Sequence, residues 1–130
     1  LSWGRAMMKG DLKVLVEPRP DRAVQVTLDG SLDAHTFDRF RKTITDLSAL
    51  GALWIVLDLA KMIYIASVGL NFLVNARVMQ RKAGGEMILV APQSQVMTIL
   101  KMLGLTEVLV LAPPTAEAWE KIRDGIQPLP

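Results

Sequence analysis

The chain has 130 residues, of which 51% are hydrophobic and 22% charged, enough apolar material to fill the core of one compact domain. Lys and Arg total 15 against 13 Asp and Glu, and the net charge of +2 is spread along the chain, so no basic stripe marks a nucleic-acid site. With no cysteine and one histidine there is no disulfide framework, thiol nucleophile or zinc ligand set, and no apolar run approaches the roughly 20 residues of a membrane helix. A cytoplasmic protein without metal or cofactor is expected.

Residues 1–10 carry Arg5 and Lys9 around the short apolar pair Met7-Met8, and read as a flexible leader or expression remnant ahead of a domain over 11–126 and a proline-rich tail over 127–130. Two Val- and Leu-rich segments, Leu12 to Glu17 and Ala23 to Leu28, flank Pro18-Arg19-Pro20-Asp21 and predict a β-hairpin. Asp33 or Thr36 then caps a helix whose apolar residues Phe37, Phe40, Ile44, Leu47 and Leu50 recur at helical spacing, closed by Gly51.

Leu53 to Leu59 is nearly unbroken in its apolarity and predicts a strand buried on both faces at the centre of a sheet. Ser67 stands at the entrance of the next helix, which runs through Leu70, Leu73, Ala76 and Met79 to Gly84-Gly85. Met87 to Ala91 is a further strand. Ser94 opens a helix with Val96, Ile99, Leu100 and Leu103 that ends at Gly104, Val108 to Leu111 is the last strand, and Pro113-Pro114-Thr115 begins a final helix bearing Trp119 and Ile122. The pattern predicts an α/β fold: a mixed sheet with an N-terminal hairpin and about four α-helices.

Few residues suggest catalysis. Ile65-Ala66-Ser67-Val68-Gly69 has the strand-to-helix setting of a nucleophile elbow but lacks its first glycine, and His35, the sole candidate base for a Ser67-His35-Asp triad, lies at a separate helix start. No GxGxxG or GxxxxGK[ST] sequence supports nucleotide binding. Asp58 on the central strand lacks the companion carboxylates of a phosphoacceptor aspartate site and reads as structural. Ser67 either caps its helix or accepts a phosphate, which free N–H groups and the positive end of the helix dipole would accommodate.

Gly30-Ser31-Leu32-Asp33-Ala34-His35-Thr36 resembles the G-x-L-D-x-x-T segment of STAS domains, Ile55 to Leu59 resembles their central strand, and Tyr64-Ile65-Ala66-Ser67-Val68-Gly69-Leu70 resembles their (D/S)-S-x-G-L signature. Gly84-Gly85 and Leu103-Gly104-Leu105 match two later landmarks, so that the likeness runs from about residue 12 to about 125. The resemblance is to the anti-sigma-factor-antagonist branch. It implies a STAS-like fold and a non-enzymatic protein that binds an anti-sigma factor, itself a serine kinase, and releases it once the signature serine is phosphorylated, with a PP2C-like phosphatase to reset it. It implies Ser67 as phosphoacceptor with Asp33, Asp58, Ala66 and Gly69 near it; Ala66 stands where the family often has Asp or Ser. Val74, Arg77, Val78 and Arg81 on the following helix form a candidate partner surface, and the alternative is a STAS-like accessory or ligand-binding subunit in which Ser67 is unmodified.

Overall fold

The structure, a computed structural model, describes residues 11–112. The expected leader, the final helix from Pro113 and the tail lie outside the described residues. Strands β1 (Leu12–Arg19) and β2 (Ala23–Leu32) form the expected hairpin, each longer than the apolar pattern alone indicates. There follow α1 (Phe37–Ala49), β3 (Trp54–Ile65), α2 (Ser67–Lys82), β4 (Glu86–Val90), α3 (Ser94–Met102), a 3-10 turn (Leu105–Glu107) and β5 (Val110–Ala112).

The strands lie in chain order across one five-stranded sheet; β1 and β2 are antiparallel and every later neighbour is parallel. Successive crossovers between adjacent parallel strands place helices on one face, as the right-handed connection rule requires. That face holds Val26, Leu28, Ile55, Leu57 and Leu89 against Phe40 and Ile44 of α1, Leu73 of α2 and Leu100 of α3. The opposite face carries a smaller cluster of Val56, Ile88, Val90 and Ala112. Ile55, Val56 and Leu57 are all fully buried, so β3 is the doubly covered central strand that its unbroken apolar run predicts.

Two edge-to-face contacts, Phe37 on Phe72 and Phe40 on Phe72, each with ring centroids 5.6 Å apart, fix α1 against α2. The hairpin loop sets Asp21 and Arg22 at φ of 61° and 62°. The arginine strain is tied to a clamp: its Nε donates to Gly51 O at 2.9 Å and its own carbonyl accepts from Leu53 N at 2.8 Å. Gly51, at φ 99°, is the helix-ending glycine expected from sequence. Leu50 differs from expectation: it is 85% exposed, because α1 stops at Ala49 and the chain turns away before Leu50 reaches the core.

Candidate functional site

The site grows from the parallel pairing of β2 and β3, in which Leu32 lies opposite Ile65. Asp33 and Ala66 therefore leave the sheet side by side, and Ala66 N–H donates to Leu32 O at 2.8 Å. Asp33 closes its own turn. Its Oδ1 accepts from the backbone N–H of His35 at 2.9 Å and of Thr36 at 3.2 Å. Buried Thr36 completes the turn by donating its hydroxyl to Ser31 O at 2.7 Å and accepting Asp33 N–H at 3.0 Å.

Ser67 is exposed at the first helical position of α2. The residue at the cap is Ala66, extended at ψ 165°, so the serine does not cap the helix and no side chain does. Gly69 and Leu70 donate to Ala66 O at 3.0 and 3.1 Å, which leaves the N–H groups of Ser67 and Val68 at the open end of the helix. The first turn has no acidic residue of its own, while Arg81 and Lys82 occupy the last turn, so the positive dipole end lies beside Ser67. Gly69 permits this approach: a Cβ there would lie 2.7 Å from Leu32 Cδ2.

The other predicted residues divide. Asp58 sits seven residues before Ile65 on β3, about 20 Å away at a strand's rise, and its Oδ1 accepts from Ala60 N–H at 3.0 Å. It is thus not brought to the Ser67 end, because β3 continues through Ile65 instead of ending near Leu59. Val74 packs half-buried against the main core. Arg77 is turned inward, bonded to Glu86 through Nε at 2.8 Å and a terminal nitrogen at 3.0 Å and to Val108 O at 3.0 Å. Its guanidinium is held above the ordinary arginine pKa by the hydrogen bond to Glu86, with the carboxylate charge adding and burial opposing. Val78 is exposed and Arg81 half-buried.

The exposed ridge of α2 that starts at Ser67 runs instead through Asn71, Asn75, Met79 and Lys82, flanked by Val68 and Val78. Counting in fours from Ser67 finds Asn71, Asn75 and Met79 in the sequence, with Lys82 three residues further on; following the valines and arginines does not. Beside it, between α1 and α2, lies an open groove of about 350 Å³ floored by Ile44, Phe72 and Ala76 and edged by Thr45, Ser48 and Met79. No hydrogen bond joins Ser67 to His35 among the described residues, and no group of three or more His, Cys, Asp and Glu there is arranged to hold a metal. None of the described helices is long and apolar enough to cross a membrane.

Among solved structures, the chain is similar to an anti-sigma factor antagonist from Mycobacterium paratuberculosis at 25% identity and a TM-score of 0.79, covering 88% of this chain and 96% of that one. It is similar in fold to the Bacillus cell fate determinant SpoIIAA in its phosphorylated form, at 21% identity and a TM-score of 0.68, covering 85% of this chain and 100% of that one. A third likeness, also of fold, is to the murine Solute Carrier 26 family member A9 anion transporter, at 14% identity and a TM-score of 0.71, covering 94% of this chain and 23% of that one. The STAS domain family model matches residues 15–118, and with the hairpin, the parallel crossovers and the serine at the head of α2 this chain belongs to the STAS domain family.

Proposed function

We propose that this chain is a phosphorylation-controlled protein-binding switch of the anti-sigma-factor-antagonist kind. Unmodified, it binds an anti-sigma factor that is also a serine kinase; phosphorylated at Ser67, it lets that partner go, and a PP2C-like phosphatase restores it in the cytoplasm. The observation that carries this reading is the exposed Ser67 hydroxyl beside open N–H groups in a first turn without acidic residues. A phosphate there adds roughly −1.5 to −2 charge where the helix dipole favours it, so the fold keeps its shape while a partner seated over α2 meets a new anion. The mycobacterial likeness, to an anti-sigma factor antagonist, and the phosphorylated SpoIIAA likeness support the same reading.

The test is intact-mass analysis of the protein from its native cells beside a Ser67→Ala variant. A gain of about 80 Da that the variant lacks is the expected result. Absence of that gain under every growth condition would replace this reading with an unmodified accessory or ligand-binding subunit.

A further inference from the structure

Strand β1 lies at the edge of the sheet, and among the described residues no strand covers its outer side. An eight-residue open edge is a template for another strand. Ser31 N–H donates to Asp11 O at 3.2 Å, in line with the register that sets Lys13 opposite Asp29 and Leu15 opposite Thr27. Odd-numbered residues of β1 therefore turn their backbone groups toward β2, and even-numbered ones turn theirs outward. The side chains of Leu12, Val14 and Val16 belong to the core on the helix face, so Asp11, Lys13, Leu15, Glu17 and Arg19 line the other face, with Leu15 47% exposed at their centre.

We propose that this edge pairs with the same edge of a second copy of the chain, antiparallel about a two-fold axis at Leu15. The charges run Asp, Lys, Leu, Glu, Arg at every second position. Turned about Leu15, each meets its opposite: Asp11 faces the partner's Arg19, Lys13 faces the partner's Glu17, and the two Leu15 side chains meet between them. A slide of two residues in either direction brings Asp11 onto the partner's Glu17 or Lys13 onto the partner's Arg19, so like charges reject the neighbouring registers. Lys13 and Arg19 keep their contacts within their own chain and gain a second neighbour of opposite sign.

The backbone agrees with the same register. Val14 and Val16 exchange both hydrogen bonds with the partner's Val16 and Val14, and Leu12 N–H reaches the partner's Pro18 carbonyl. Pro18 has no N–H to return, and the acceptor that would need it, Leu12 O, is already taken by the guanidinium of Arg39. The pairing leaves none of these backbone groups unmatched and makes one ten-stranded sheet from two five-stranded ones.

Sedimentation equilibrium of the full chain across micromolar concentrations tests it. The expected result is a dimer that Lys13→Glu weakens by about tenfold or more, since the change acts twice across the axis, and that the swap Lys13→Glu with Glu17→Lys restores. The chain has no native cysteine, so Leu15→Cys supplies an independent reading. Facing residues at a non-hydrogen-bonded pair lie about 4.5 Å apart between Cα atoms, within disulfide reach. Leu15→Cys should therefore form a linked dimer on oxidation faster than Met102→Cys, which is 79% exposed. A wild-type monomer throughout, a dimer indifferent to Lys13→Glu, or equal cross-linking of the two cysteine variants would each overturn the proposal.

Discussion

Arg77 of α2 grips Glu86 at the head of β4 with two bonds, Nε to Oε1 at 2.8 Å and a terminal nitrogen to Oε2 at 3.0 Å, and ties both to Val108 O with its remaining arm. Glu86 is 5% exposed and also accepts Met87 N–H at 3.0 Å. Removing the cation strands a buried carboxylate, so Arg77→Ala should cost about 3 kcal/mol in denaturant unfolding. The pair's pH behaviour follows from the raised arginine pKa: its contribution is complete below the ordinary arginine range and is lost only as pH rises through the raised value. Stability between neutral and mildly alkaline pH should not change on account of Arg77, and urea midpoints at the two pH values check this.

Ser67→Asp separates folding from recognition. An acidic side chain in the uncapped first turn of α2 should stabilise the fold by about 0.5 kcal/mol, while Ser67→Ala changes it little. On the proposed function the aspartate variant loses its partner despite its gain in melting temperature. Calorimetry and a binding assay on the same samples read both effects.

Two glycines should rank by what stands over them. A Cβ on Gly85 would lie 1.8 Å from Leu53 O, a backbone atom fixed in the sheet, whereas one on Gly69 meets the movable tip of Leu32 at 2.7 Å. Gly85→Ala should cost more than about 3 kcal/mol. Gly69→Ala should cost about 1 kcal/mol, because overpacking is offset in part by the better helix propensity of alanine. Chemical denaturation of both variants tests the order.

Gln80 is 1% exposed with every group of its amide used: Nε2 donates to Ala52 O at 3.1 Å and Leu53 O at 2.9 Å, and Oε1 accepts from Ser48 Oγ at 2.8 Å. Gln80→Glu replaces the double donor with an oxygen facing two carbonyls, and should destabilise by about 2–3 kcal/mol at neutral pH. The loss should shrink in acid, where a protonated carboxyl regains one donor, and thermal unfolding across acidic and neutral pH will show it.

The sequence made the order of elements readable because each carries a different period: the apolar run of Ile55 to Leu57, the helical repeat of Phe40 and Ile44, and glycine at Gly51 where φ is positive. The placement of Ser67 at the head of α2 was readable for the same reason. Other features depend on tertiary partners. Arg77 looks like a surface cation until β4 brings Glu86 against it, and Leu50 continues the apolar repeat of α1 although the helix has ended. Ala66 holds the cap position because the backbone bond to Leu32 decides where α2 begins, and local propensity would have chosen the serine. The alternating charges of β1 are plain in the sequence, but acquire meaning only when the sheet order leaves that strand at an edge.

The pairing of β2 with β3 slips twice, between Thr27 and Asp29 and between Gly30 and Ser31, each time giving β3 one residue more than its neighbour. One extra residue turns a strand's side chains to the opposite face, and a second turns them back. Ser67 thus owes its outward setting to an even number of insertions. Across STAS chains, the stretch between the positions of Asp58 and Ser67 should change length by two residues more readily than by one, since a single deletion would direct the serine end of the strand into the core and a paired deletion would only draw it closer to the sheet.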